Sequence, residues 1–291
     1  MTKKKSAYDI ASFILVFLVA ILFTFPLYWI ITGSFKTKAE IMSVTPIWWP
    51  SEWVMDNYNK LMEKRNAPLF EFLGITGPTI PAAYRWLLNT VFMSVASMVI
   101  TCITAALAGY ALAKKRFIGR TVLFSLIVCA MALPKQVILI PLIREMSAIG
   151  LVNTLWATII PIVGWPFGVF LLKQFSEGVP GEMLEAACVD GAGEIRTFVD
   201  IVLPMIKPGI GALAIFTFIN SWNDYFIQLI MLSSNSMYTI SLGIATMQAE
   251  NSIDYGLLMA GSALAALPII TIFLIFQKYF TKGITLGAVK G

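Results

Sequence analysis

The chain has 291 residues, of which 58% are apolar, 13% aromatic and only 13% charged, and it contains no histidine. Soluble domains carry about a quarter charged residues, so this balance excludes a soluble enzyme and describes a polytopic membrane protein. The formal net charge of +5 does not imply nucleic acid, because the basic residues fall in loops between apolar stretches instead of along one soluble face.

A bilayer core about 30 Å thick takes roughly 20 apolar residues per helix, and this period places six spans along the chain. The first covers residues 10–32, behind Lys3, Lys4 and Lys5. Its apolar run exceeds a signal-peptide core and no A-x-A-like site follows, so a retained helix is expected, not a cleaved leader. The connection 33–85 carries Pro46-Ile47-Trp48-Trp49-Pro50 and Trp53, rings that suit a headgroup boundary. Two readings stay open for it: a segment lying on the outer membrane surface, or a small folded cap on neighbouring helices. The second and third spans cover 86–112 and 121–143, the latter interrupted by Lys135. The fourth covers 152–172. The fifth covers 209–232 and holds Asp224, with Ser233-Ser234-Asn235-Ser236 after it, a turn-forming cluster that belongs at an aqueous face. On that basis the stretch from Tyr225 to Ala249 is the end of the fifth span plus a polar loop. The sixth covers 256–277. The predicted fold class is therefore all-α, a single transmembrane domain over residues 1–291.

With the N-terminus inside, inner segments hold thirteen of the 21 Lys and Arg residues, so the positive-inside rule favours both termini in the cytoplasm. The inner connection 173–207 departs from that rule with six acids, Glu177, Glu182, Glu185, Asp190, Glu194 and Asp200, against three bases. Something besides topology selects this stretch. Pro180 suits a first helical turn, Glu182 and Glu185 suit the positive end of the helix dipole, and Gly191 and Gly193 break the pattern. A second helix is expected from Glu194 to Val202, with Pro204 and Pro208 marking the exit. The expected product is a cytoplasmic knob of helix, glycine elbow and helix.

Within that knob the chain reads Glu185-Ala186-Ala187, three residues, Gly191, nine residues, then Ile201-Val202-Leu203-Pro204. This resembles the EAA motif, EAA-x3-G-x9-I-x-LP, of ABC importer permeases at every fixed position, ahead of the penultimate of six spans. An amphipathic helix lying on the membrane would place basic residues on its polar face, and here that face is acidic. Ala186 and Ala187 offer a slim surface to enter a partner's groove, Glu185 offers a charge to be met there, and Gly191 permits a turn that a Cβ hinders. Similarity to carbohydrate importer permeases extends over nearly the whole chain, through Ser34-Phe35-Lys36, Asn57-Tyr58, Gly109-Tyr110-Ala111-Leu112-Ala113, Pro134-Lys135-Gln136, Asp190-Gly191-Ala192 and Trp222-Asn223-Asp224. The tail Gly283–Gly291 resembles that of the smaller six-span permease of maltose-type transporters.

What the resemblance implies is a type I ABC importer permease in a bacterial or archaeal cell membrane. Its partners would be a second, homologous permease, two ATP-binding subunits below, and an extracellular or periplasmic solute-binding protein that delivers a carbohydrate. The coupling residues it implies are Glu182, Glu185, Ala186, Ala187, Asp190, Gly191, Ile201, Leu203 and Pro204. No G-x-x-x-x-G-K-[ST] loop is present, so ATP and Mg are expected on the partner subunits and no cofactor on this chain. Cys102, Cys129 and Cys188 form no C-x-x-C pair, so no metal or redox centre is expected.

Ionisable groups at membrane depth are costly unless they face protein or water, which singles out Lys135 and Asp224. Lys135 either lies at a break in the third helix and lines a cavity, or forms a structural ion pair. Asn220, Trp222, Asn223, Asp224 and Gln228 mix ring, carboxamide and carboxylate as a sugar path requires, although interhelical hydrogen bonding uses the same residue types. In the maltose-type family the other permease supplies most of the substrate site. The small residues Ala105, Ala106, Ala108 and Gly109 are packing seams. A secondary carrier is the competing class, and the inverted-repeat halves that would mark one are not apparent.

Overall fold

A computed structural model describes residues 7–63, 66–69, 78–249 and 254–288, with no side-chain description for Ala7, Ala249, Phe276 or residues 278–288. Lys3 to Lys5, Lys64, Arg65, Glu71 and the tail residues Val289 to Gly291 therefore lie outside the described residues. Among the described residues three helices are each long and apolar enough to cross a membrane, Tyr8–Ser34, Ala82–Lys114 and Tyr255–Ile275, and three bent helix pairs raise the count to six if each pair is one span.

Helix α1 (Ala7–Ser34) is apolar on every side, and its side chains stay largely exposed until Thr32, where it meets the body of the protein. An all-round apolar helix needs lipid or another protein on its open faces. The connection that follows folds into a cap. It comprises α2 (Lys38–Ile41), α3 (Asp56–Glu63) and an antiparallel pair, β1 (Asn66–Pro68) with β2 (Thr79–Pro81), in the register Asn66 opposite Pro81. Thr37 and Glu40 form a capping box on α2, and Ser51 donates to the Glu40 carboxylate from both its hydroxyl and its backbone. Those Ser51 bonds, with that from Thr37, hold the Glu40 carboxyl down at about 2. Asn57 donates to the carbonyls of Ser34 and Lys36, and Leu61 and Ala67 are buried beside Trp86. Of the two readings of this stretch, the folded cap is what forms. Trp48, Trp49 and Trp53 remain more than half exposed at its rim.

Helix α4 (Ala82–Lys114) runs unbroken for 33 residues. The next three spans, over 121–143, 152–172 and 209–232, are all broken, the first of them at the Pro134–Lys135 position that the sequence offers for a break. Helices α5 (Arg120–Ala130) and α6 (Lys135–Ala148) meet at 106° across residues 131–134. Helices α7 (Trp156–Val163) and α8 (Pro166–Glu177) meet at 41°. Proline explains both breaks. Pro134 lacks the N–H that would continue α5, and Pro166 forces Trp165 before it out of the helical region, to ψ 123°.

After α8 comes the knob, described below, with α9 (Gly181–Val189), α10 (Glu194–Thr197), a π turn over Phe198–Val202 and α11 (Leu203–Met205). Helix thus continues past Val202, where the sequence reading ends it, and the chain bends by 75° only at Ile206. Helix α12 (Lys207–Asn223) then stops at Asp224, whose ψ of 69° leaves the helix and whose Oδ1 caps α13 (Tyr225–Met231) at Ile227 N. The serine-rich turn is held by Asn153, whose Oδ1 accepts from the backbones of Ser233 and Ser234 at 2.9 Å each.

The stretch after that turn is not all polar loop. Residues Ile240–Ala249 form α14, because Ile240, Leu242, Ile244 and Met247 bury themselves against the body and Gly243 lets the backbone sit on the Trp86 ring, where a Cβ would lie 2.2 Å from ring carbon. Helix α15 (Tyr255–Ala288), with Pro268 inside it, completes the fold. The main core gathers Trp86, Phe218, Trp222, Ile240, Ile244 and Ala260 from α4, α12, α14 and α15. Ala105, Ala106 and Gly109 are buried where α4 crosses α8, Ala108 half-buried beside them.

Candidate functional site

The knob is built from backbone constraints outward. Pro180 caps α9 from outside instead of occupying its first turn, at ψ 134°, and Glu182 follows in that turn near the positive end of the dipole. At the other end Gly191 sits at φ +76° with open space around its Cα, so the left-handed backbone is what demands glycine there. Ala192 N closes the elbow on Ala187 O at 2.9 Å. Glu182, Glu185, Ala186 and Asp190 are exposed. Ala187 is not: it packs inward at 6% exposure, so the slim outward face carries Ala186 alone, and the apolar part of that surface comes from Met183 and Val189, with Ile195 and Val199 beyond the elbow. Ile201 and Leu203 are half-buried and Pro204 is exposed. The π turn widens the helix where Pro204 withholds its N–H.

A second set of groups fastens the knob to α4, and no sequence spacing signals it. Lys115 pairs with the Glu194 carboxylate, Tyr110 donates to the same carboxylate at 3.2 Å, and the Tyr110 ring packs on Phe198 with centroids 5.3 Å apart. Lys114 donates to the carbonyls of Glu177 and Val179. The Lys115 hydrogen bond holds the Glu194 carboxyl below the usual carboxylate range. Burial works against the Lys115 charge, yet its bonds to Glu194 and Tyr110 outweigh that and keep the ammonium above its ordinary value.

The other candidate residues lie where the broken spans meet. Lys135 is the first residue of α6, Trp165 precedes α8 and Asp224 precedes α13. Lys135 Nζ lies 3.2 Å from Asp224 Oδ2 and 4.0 Å over the Trp165 ring centroid. The three breaks thus converge on one ion pair with a cation-π contact. The pair also lines a cavity of about 110 Å³ together with Asn220, Thr217 and Trp165.

The rest of the polar cluster divides. Gln228 is buried and spent on the protein, donating to Ser221 O at 3.2 Å and accepting from the Thr239 hydroxyl. Trp222 is buried, stacked on Phe218 at 5.5 Å. A sugar cannot stack on the face that Phe218 covers. Its edge, with Asn223, reaches a different cavity, a groove of about 410 Å³ between α12, α14 and α15. Asn220 and Asn223 each donate to the carbonyl four residues back in α12, at 2.8 and 2.9 Å. Among the described residues no group of three Cys, Asp or Glu side chains is placed to hold a metal ion.

The family model described as "Binding-protein-dependent transport system inner membrane component" matches residues 103–286. The arabinooligosaccharides transport system permease protein AraQ of Halalkalibacterium halodurans is 34% identical over 275 residues, covering 94% of this chain and 93% of that protein. The AraQ protein of Bacillus subtilis is 32% identical over 286 residues, 98% of this chain and 97% of its own length. A chain from the crystal structure of a bacterial ABC transporter that imports the acidic polysaccharide alginate has the same fold, with a TM-score of 0.73 at 21% identity over 96% of this chain and 100% of that one.

Proposed function

The chain belongs to the family of binding-protein-dependent transport system inner membrane components, and on that footing we propose that it is a permease subunit of an ATP-driven ABC importer for a sugar or oligosaccharide. One transmembrane domain forms half of the translocation path, and a second, related permease forms the other half. A solute-binding protein on the outer face delivers the carbohydrate. ATP and Mg bind to two partner ATPase subunits, and both termini of this chain lie on their side of the membrane.

The knob is the docking element in this reading. Glu182, Glu185, Ala186 and Asp190 meet a groove on the ATPase, Gly191 sets the turn that ends their helix, Ala187 seats α9 from beneath, and Ile201, Leu203 and Pro204 carry the knob into the bent helix pair. The observation that supports it best is the exposed α9 with apolar Met183 and Val189 among its acids, ended by a left-handed glycine, in a chain similar over nearly its full length to oligosaccharide permeases. Lys135 and Asp224 hold three broken helices together at membrane depth, where a path must change shape.

Co-expression with the partner subunits tests the reading. The purified assembly should hydrolyse ATP faster when the sugar-loaded binding protein is added, and proteoliposomes holding it should take up sugar only with ATP inside. Uptake by this chain alone, without any ATPase subunit, would make it a secondary carrier and end the proposal.

A further inference from the structure

The two cavities differ in how their polar groups are used. At the helix breaks Lys135, Asp224 and Trp165 satisfy one another, and Asn220 donates to its own helix. In the groove, Ser241, Gln248 and Ser262 make no side-chain hydrogen bond to any described residue, and Asn223 leaves its Oδ1 free after its NH2 donates to Ile219 O. Four unspent donors or acceptors therefore converge on one space. Asn223 is exposed and the other three are half-buried, so these groups are open to water or to a ligand rich in hydroxyl groups.

The walls are built for such a ligand by helical periodicity. On α14 the positions 241, 245 and 248 recur on one face while Ile240 and Met247 are buried on the face beside it. On α15 the positions 258, 262, 265, 266 and 269 supply the facing wall. Ala245, Ala265 and Ala266 leave room, and Ile244 and Ile269 offer apolar contact for C–H faces. Among the described residues no ionisable side chain lines the groove.

We propose that the groove between α12, α14 and α15 is the surface on which this chain contacts the passing substrate, and that it takes neutral saccharides, whose hydroxyls match Asn223, Ser241, Gln248 and Ser262. A uronate would find no cation there. The inference rests on the reading of the chain as a sugar-importer permease, and it assigns contact to this subunit through α14, which the polar sequence cluster did not include.

The test uses the intact complex with its partner subunits and binding protein in proteoliposomes, supplied with labelled oligomers of arabinose, glucose and N-acetylglucosamine and, separately, of galacturonate. Gln248→Leu combined with Ser262→Val should lower uptake of the neutral oligomer that the native complex imports at least tenfold, with basal ATP hydrolysis and the binding protein's own affinity unchanged. Where that variant assembles poorly, Ser262→Cys in a chain with Cys102, Cys129 and Cys188 changed to Ser takes its place. A water-soluble methanethiosulfonate should then modify position 262, and turnover with the imported sugar should slow that modification several-fold. Unchanged uptake, or a position 262 that the reagent does not reach because the partner permease covers it, overturns the groove assignment. Preferred import of galacturonate overturns the neutral class. A native complex that imports no oligomer and shows no stimulation by its binding protein overturns the importer reading itself, and the groove with it.

Discussion

The knob and the junction of helix breaks hold their functional groups by opposite means. In the knob the residues lie within 25 positions of one another, and their geometry follows from local backbone rules: a proline outside α9, a left-handed glycine at 191 and a widened turn before Pro204. At the junction the three groups come from three spans, up to 89 positions apart, and one ion pair brings them together. Conformational constraints are written locally, whereas a tertiary pair needs the whole fold. The knob is correspondingly exposed, with faces left for a partner, while the junction is closed on itself.

If that contrast is right, breaking the junction has the largest effect on stability. Lys135→Met should leave Asp224, whose side chain is 11% exposed, without its cation at membrane depth. Removing one partner of a buried pair costs about 3–5 kcal/mol, less here because Lys135 keeps some solvent contact. The assembled complex should fall in yield on size-exclusion chromatography, and the exchange Lys135→Asp with Asp224→Lys should recover part of it. Full yield of Lys135→Met, with Asp224→Asn equally silent, would mean that the breaks hold without the pair.

The same contrast explains which features are legible in the amino-acid sequence. The acidic departure from the positive-inside pattern and the spacing from Glu185 to Pro204 mark the knob, and Pro134 beside Lys135 points to a broken third span. The partner of Lys135 is not legible, because Asp224 lies on another helix and no local rule links the two. Helix α14 escapes a sequence reading because Ser233 to Ser236 signal a turn, and only the burial of Ile240, Leu242, Ile244 and Met247 shows that the next ten residues pack as a helix. Ala187 is misassigned to the outer face for a similar reason. An alanine pair names a helix but not which of its members faces inward.

A smaller effect on stability, but a decisive one on coupling, is expected at the elbow. Gly191→Val puts a β-branched residue at φ +76°, where an L side chain costs about 1–2 kcal/mol. Gly191→Asn, which tolerates that region, should cost less. Since a Cβ there meets nothing within 4 Å, the loss reports backbone conformation and not crowding. Gly191→Val should keep its membrane level yet lose stimulation of ATP hydrolysis by the binding protein, and Gly191→Asn should retain most of it. Equal loss in both would point to contact with a partner at the glycine surface and would blur the distinction between the two regions.

The smallest effect belongs to the fastening of the knob to α4. Glu194 is mostly exposed, so solvent screening limits its pair with Lys115 to less than about 1 kcal/mol, and Glu194→Gln should lower the thermal midpoint only slightly. Its pH dependence is more telling. The Glu194 carboxyl titrates below its ordinary 4.5 in the folded chain, so its contribution is present above 4.5 and is lost as pH falls through the depressed value. Native protein and Glu194→Gln should therefore differ at pH 7 and converge in acid. Lys115 gives the other limb: its ammonium titrates above 10.5, so the contribution holds below that value and fades only as alkali passes the raised one. Tyr110→Phe keeps the ring on Phe198 and removes only the hydroxyl donor, so it should shift less than Glu194→Gln. A pH-independent gap between native protein and Glu194→Gln would show that the carboxylate is not what fastens the knob to α4, leaving the Tyr110–Phe198 packing and the Lys114 bonds to Glu177 and Val179 to do it.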